Sequence, residues 1–233
     1  MELKITYEDN DVIIIDKPAG IGVHAKDKFD NILTIVKILS KSHPQITGVG
    51  ESPLRPGVVH RLDKETSGLM VIAKNNETFF ELKKQFQERR VEKKYIALVS
   101  GVLEKDSGII EIPLVKAGPK TQSRYTKYDI RYTKAPKYAL TEYKVLRRYK
   151  DYTLVEAMPK TGRQHQIRVH FASINHPVAC DKLYGRKAKK CPHGLQRHFL
   201  HAGHLKFRLK SALMEFESEL PEDLKKALSN ING

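Results

Sequence analysis

Two short runs constrain what this chain can fold into. Val12-Ile-Ile-Ile-Asp16 is apolar and β-branched and reads as a buried strand, and Gly68-Leu-Met-Val-Ile-Ala73 reads as a second strand. Lys17-Pro-Ala-Gly20 breaks the first with a turn. Residues 31–40 carry Ile32, Leu33, Ile35, Val36, Ile38 and Leu39 and read as a short helix. Residues 43–57, rich in Pro and Gly, read as a loop. Residues 76–90 place Phe79, Leu82 and Phe86 three and four apart, as one face of a helix. Residues 94–100 are a strand ended by Gly101, and residues 138–149 and 152–158 a hairpin turning at Lys150-Asp151. About residues 166–174 are helical, 213–217 are a late strand and 221–228 a terminal helix with Pro221 in its first turn. Strands and helices mix without strict alternation, which predicts α+β with a largely antiparallel or mixed sheet.

The chain has 233 residues, 40% of them hydrophobic, enough for one large domain or two small lobes around a shared core. Lys and Arg number 42 against 27 Asp and Glu, a net charge of +15. A field of that sign attracts polyanions, so nucleic acid is the leading partner, with plain solubility as the alternative reading of the charge. Nothing resembles a basic amphipathic anchor, an apolar span of about 18 residues or a leader segment, so the expectation is a cytoplasmic protein that binds no membrane. Cys180 and Cys191 lack paired spacing and read as ordinary residues of a reducing compartment, with no metal site.

Three segments carry chemistry. In Arg55-Pro-Gly-Val-Val-His60-Arg61-Leu62-Asp63-Lys64-Glu65-Thr66-Ser67-Gly68, a polar knot lies between apolar runs, at a strand end or short loop where functional side chains are presented. Arg61 and Lys64 favour the ionised form of Asp63. Capping of local amides by Asp63 and Thr66 is the competing reading. In Lys93-Lys-Tyr95-Ile-Ala-Leu-Val-Ser-Gly101, a tyrosine opens an apolar strand, where a half-buried ring is the common case. In Lys160-Thr-Gly-Arg163-Gln-His165-Gln166-Ile167-Arg168-Val-His170, Arg163, Gln166 and His170 fall at helical spacing, with Arg168 on a different face nearer His165. Glutamine and histidines among arginines suit hydrogen bonding, although a basic helix is usually a solvated surface.

Together these segments resemble the RluA-type family of pseudouridine synthases. His60-Arg-Leu-Asp63 followed by Thr66-Ser-Gly68 resembles its aspartate motif, Lys94-Tyr95 its tyrosine motif, and Gly162-Arg163 followed by His165-Gln166-Ile167-Arg168 its third motif. Lys17-Pro-Ala-Gly20, His176-Pro-Val with Asp181, Leu183-Tyr184-Gly185 and Leu200-His-Ala202 resemble further signatures. The similarity runs from about residue 5 to 220. Cys180 stands where the family pattern has a glycine, and no small N-terminal RNA-binding domain is expected. The resemblance implies a single catalytic domain over residues 1–233, an α+β synthase fold with a largely antiparallel central sheet, and an active-site cleft across that sheet.

It also implies the activity: isomerisation of uridine at specific sites in structured RNA, ribosomal or transfer RNA, without cofactor or metal; with no heptad or exposed apolar stripe in the sequence, the expectation is a monomer. Asp63 is then the essential carboxylate at the ribose, Arg168 the arginine that pairs with it, and Tyr95 the ring that stacks on the base. Arg61 fills the place of the flipped uridine, or contacts phosphate, or forms an ion pair. His60, Thr66, Arg163, His165, Gln166 and Ile167 are further substrate-binding candidates. Lys83, Lys84, Arg89, Arg90, Arg147, Arg148, Arg186, Lys187, Lys189 and Lys190 are candidates for backbone contacts. A non-catalytic RNA-binding or assembly factor and a base-excising DNA glycosylase are the competing functions.

Overall fold

The computed structural model describes residues 3–25, 32–117, 122–124, 135–185 and 191–231. In chain order the elements begin β1 (Lys4–Glu8), β2 (Val12–Lys17), α1 (Ile35–Ser42), a 3-10 turn (Pro44–Ile46), β3 (Ser67–Ala73) and α2 (Asn76–Gln87). They continue with β4 (Glu92–Ser100), β5 (Ser107–Glu111), β6 (Val115–Ala117), β7 (Gln122–Arg124), β8 (Leu140–Arg148) and β9 (Tyr152–Pro159). Last come α3 (Gln166–Ser173), β10 (Leu200–Leu209), β11 (Ala212–Glu217) and α4 (Glu222–Ser229). The chain divides into two compact units, one of Met1–Lys93 with Ala202–Glu219, the other of Lys94–His201 with Leu220–Gly233.

In the first unit the strand order is β1-β2-β3-β10, with β11 paired to β10. The β1/β2, β2/β3 and β10/β11 ladders are antiparallel. Val12 and Ile14 pack with Leu69, Val71, Leu82 of α2 and Phe207. Ile13 and Ile15, which the strand period directs to the opposite face, are equally buried. That double burial is why β2 reads as an unbroken apolar run and not as an alternation. Asn75 caps α2, its side chain accepting the Thr78 amide.

The second unit has the order β4-β9-β8-β5, again antiparallel between neighbours. Ile167 and Phe171 of α3 pack on Ala97, Val99, Tyr143, Val155 and Ala157. Leu224 and Ala227 of α4 join a separate cluster with Leu98, Tyr152, Ala179 and Phe199. The α+β expectation holds in both units.

Several boundaries differ from the sequence reading by one or more residues. α1 starts at Ile35, because Thr34 caps it through Oγ1 and the Lys37 amide at 3.2 Å, which leaves Ile32 and Leu33 exposed ahead of the helix. α2 stops at Gln87, and Arg89 turns the chain with a φ of 61°. The expected hairpin is β8 and β9: β8 starts two residues later and ends one earlier than expected, and β9 runs one residue further. Among the described residues no helix is long and apolar enough to cross a membrane.

The cysteine reading needs correction. Cys180 and Cys191 are joined as a disulfide, with Cα atoms 5.0 Å apart and a sequence separation of 11. Burial of Cys180 beside Leu195 and Phe199 sets up the pairing, which spacing alone does not signal. Closing a loop of that length stabilises the fold by about 3 kcal/mol in the chain-entropy account. Alkylation under denaturing conditions without reductant, followed by intact mass, is expected to find no free thiol. Two alkylated thiols would return both cysteines to the reading drawn from sequence.

Gly68 makes a second test. It sits at φ +114°, and a Cβ there would lie 2.3 Å from the Ala202 carbonyl oxygen, which is backbone and cannot yield cheaply. Gly68→Ala is expected to cost about 3 kcal/mol or more from combined strain and overpacking. Chemical denaturation would measure it, and a midpoint unchanged from the parent would refute the close approach.

Candidate active site

In the first unit the site is built where β3 begins. Leu62 is buried and anchors the loop, Asp63 is half-buried, and the Thr66 amide donates to the Asp63 carbonyl at 3.1 Å. Thr66 and Ser67 are buried and lead directly into the strand. The loop is tied from the other side by Lys17, the last residue of β2, which has no exposed surface. Its Nζ donates to the carbonyls of Pro18 (2.8 Å), Ile21 (3.0 Å) and Lys64 (3.1 Å). The Gly20 amide donates to the same Lys64 oxygen at 2.9 Å. The residue after Asp63 is therefore held by a charge and an amide together.

His60 and Arg61 have defined settings in this unit. His60 stacks on Phe86 at 4.6 Å, and its Nε2 accepts the Val71 amide at 3.1 Å. Desolvation, with the Lys93 charge added, pushes His60 down to about 3, so the ring stays neutral and its proton sits on Nδ1. Lys93 lies over the same Phe86 ring, and desolvation lowers it to about 8. Arg61 is exposed and its Nη1 donates to His24 Nε2 at 3.2 Å. The His24 Nδ1 lies 2.7 Å from the Ala25 carbonyl and so carries the ring's proton. Burial holds His24 below its ordinary value despite that carbonyl, and the Arg61 and Arg55 charges add to the effect.

In the second unit Tyr95 lies in β4 opposite Ala157, half-buried and packed against the cluster of Ile167 and Phe171. Arg168 is buried in α3 and forms a two-pronged pair with Asp181: Nε to Oδ2 at 2.7 Å, Nη2 to Oδ1 at 2.8 Å. Asp181 Oδ1 also accepts the amides of Leu183 (2.9 Å) and Tyr184 (3.1 Å). Burial raises the Asp181 pKa, but the Arg168 hydrogen bond and charge, with the two amides, outweigh it and leave the carboxyl below its ordinary value. Breaking a pair so enclosed strands a buried charge, at about 3–5 kcal/mol. Tyr184 places its ring 5.2 Å from the Arg168 guanidinium carbon and shares a 2.9 Å hydrogen bond with His165 Nδ1. His165 begins α3 at a φ of 55°, a strained setting for a side chain of its size. Cys180 has a φ of 59°, which explains why a glycine suits that position.

The remaining candidates of this segment face inward. Gln166 is buried, and its amide oxygen accepts from Thr161 Oγ1 (2.6 Å) and the Arg163 amide (3.0 Å). Its nitrogen donates to the Leu140 carbonyl (2.9 Å) and Thr141 Oγ1 (3.0 Å), so all four of its hydrogen-bonding positions are filled by protein. Ile167 is core, and His170 is buried between Thr141 and the Ile112 carbonyl. The polar face expected for hydrogen bonding is real, but Gln166 and His170 spend it on β8 and its neighbours. Arg163 lies before the helix, not on it, and its Nε donates to the Tyr138 carbonyl at 3.1 Å.

Among the basic candidates, Lys83 pairs with Glu51 and Arg148 with Asp106. Arg147 lies over Tyr149, and Lys84, Arg89 and Arg90 are exposed. Arg186, Lys187, Lys189 and Lys190 lie outside the described residues. Among the described residues no group of three His, Cys, Asp or Glu converges as a metal site. Sequence reasoning assigned no role to Lys17, His24, Asp181 or Tyr184. The signal for three of them was their place inside quoted signatures, and His24 carried none.

A family described as RNA pseudouridylate synthase matches residues 11–173. An uncharacterized RNA pseudouridine synthase of Aquifex aeolicus (strain VF5) is 43% identical over 236 residues, covering 97% of this chain and 72% of that protein. The ribosomal large subunit pseudouridine synthase D of Zymomonas mobilis is 36% identical over 231 residues, covering 95% and 70%. The solved structure of human RNA pseudouridylate synthase domain containing 4 superposes with a TM-score of 0.76 at 25% identity, covering 98% of this chain and 93% of that one. The chain belongs to the RNA pseudouridylate synthase family, in its RluA-type branch, and is an enzyme that isomerises uridine to pseudouridine in RNA.

Proposed function

We propose that the enzyme modifies specific uridines of structured ribosomal RNA, acting as a cytoplasmic monomer with Asp63 as its essential carboxylate. Several relatives carry the name ribosomal large subunit pseudouridine synthase D, which favours ribosomal over transfer RNA. The observation that carries the assignment of Asp63 is its loop. It presents Asp63, half-buried like Glu65, from a segment fixed by the buried Leu62, Thr66 and Ser67 and by the Lys17 ammonium.

The reaction breaks the bond from ribose to a uracil ring nitrogen and makes one from ribose to ring carbon 5. Carbon 5 loses a proton and the nitrogen gains one, so nothing is oxidised and no group leaves. The work asked of the protein is placement of a carboxylate at the ribose, a ring face for the base, and a fixed cation for the charge that develops on the substrate. Asp63, Tyr95 and Arg168 fill those roles in this reading. The target base must leave its stack, at a cost of a few kcal/mol, and Arg61, exposed at the loop tip, occupies the vacated place. Lys84, Arg89 and Arg90 supply contacts to phosphate.

The test uses ribosomal and transfer RNA that lack endogenous modification, incubated with the parent enzyme or with Asp63→Ala. Pseudouridine is mapped by carbodiimide modification and primer extension. New sites in ribosomal RNA with the parent only are expected. Sites only in transfer RNA would overturn the substrate, and equal modification by both proteins would overturn Asp63. If both proteins bind RNA and neither modifies it, a binding or assembly role replaces catalysis. RNA affinity is also expected to fall steeply with salt, by about a thousandfold between 50 and 200 mM if six phosphates are contacted. A flat dependence in a filter-binding series would refute the phosphate contacts.

A further inference from the structure

The Arg168 guanidinium is fixed by more than one kind of contact. Its side chain is 8% exposed and that of Asp181 is 0% exposed. Two parallel N–H···O bonds set the plane of the fork and its direction, which one point contact could not do. Asp181 is itself prevented from turning, because its Oδ1 holds the Leu183 and Tyr184 amides while its carbonyl accepts the Gly185 amide at 2.7 Å. Gly185 is the residue that allows so tight a return, since a Cβ there would lie 2.6 Å from the Asp181 carbonyl oxygen. The same turn delivers Tyr184 beside the guanidinium, and its hydroxyl bonds His165 at the start of α3. Arg168 is thus gripped by a five-residue turn at its edge and by an aromatic ring alongside.

A buried ion pair is weak evidence for stability, since well-packed apolar residues often do that job as well. What such residues cannot do is aim a cation. We propose that Asp181 is a positioning residue for the isomerisation, setting the orientation of the Arg168 guanidinium, with Tyr184 holding it in place. Asp181 itself touches no reacting atom. The proposal rests on the reading of Arg168 as an active-site arginine, and the experiment separates the two.

Rates of tritium release from a carbon-5-tritiated transcript of large-subunit ribosomal RNA would be measured for the parent, Arg168→Met, Asp181→Asn and the double variant, with melting curves for each. A residue that acts only through Arg168 lowers kcat while KM stays near the parent value, and adds nothing once Arg168 is gone. Misplacement by about 1 Å is expected to lower kcat roughly a hundredfold in Asp181→Asn, with the double variant no slower than Arg168→Met alone. If Asp181→Asn does not fold at the assay temperature, Asp181→Glu keeps the charge, shifts the fork by one methylene and is expected to lose at least about tenfold in kcat. A folded Asp181 variant with the parent kcat, beside an inactive Arg168→Met, would refute positioning and leave the Arg168 reading standing. An active Arg168→Met would remove that reading and the proposal with it.

Discussion

An ammonium with no exposed surface survives only where oxygens replace its water, and in the first unit backbone carbonyls supply them. Lys17 Nζ gathers the carbonyls of Pro18, Ile21 and Lys64. Those oxygens come from the turn after β2 and from the loop before β3, so satisfying one charge fixes both segments at once. Gly20 reinforces the tie at the Lys64 oxygen. Gly68 stands opposite Lys17 in the β2/β3 register and lets the Ala202 backbone approach. Within this unit the backbone that carries Asp63 is therefore tied to the turn after β2.

The second unit solves the same problem with side chains. Gln166 fills all four of its hydrogen-bonding positions between Thr161, Arg163, Leu140 and Thr141, which locks the start of α3 to β8. Asp181 locks Arg168 from the turn beyond α3. Partly satisfied, such a network would be worse than apolar packing; filled, it gives the helix one orientation. The left-handed His165 marks where the chain accepts local strain to enter that arrangement.

These ties also mark the limit of what the sequence reveals. β2, β3 and α2 were legible because their signals are local: β-branched runs, and aromatic residues three and four apart. β10 was not read as a strand, although Leu205, Phe207 and Leu209 alternate with Lys206 and Arg208 in its second half. His204 and Lys206 are answered by Glu215 across the β10/β11 ladder, a partner no window along the chain would supply. Motifs name Asp63, Tyr95 and Arg168 as candidates but not the pairings around them, since Lys17 and Lys64 are 47 residues apart and Arg168 and Asp181 are 13 apart. Periodicity placed Gln166 and His170 on one polar face correctly, but it cannot distinguish a face turned to solvent from one turned to the polar edge of a strand. Ile167, grouped with them by motif, proved to be core.

The net charge of +15 therefore covers two populations of cations with different work. Lys17 and Arg168, with Arg197 bonded to Asp223, are buried and hydrogen-bonded within the fold, so they are not surface contacts for a polyanion. Lys84, Arg89 and Arg90 are exposed, and each alone is worth less than about 1 kcal/mol. Their effect is collective, through counterions released when phosphate approaches, and it is indifferent to sequence. Affinity for RNA and selection of a uridine then have separate origins. In the reading proposed above, exposed cations supply the first, while the second comes from groups held still enough to distinguish one base setting from another. Lys17 ties down the loop that carries Asp63, and Asp181 fixes the Arg168 guanidinium.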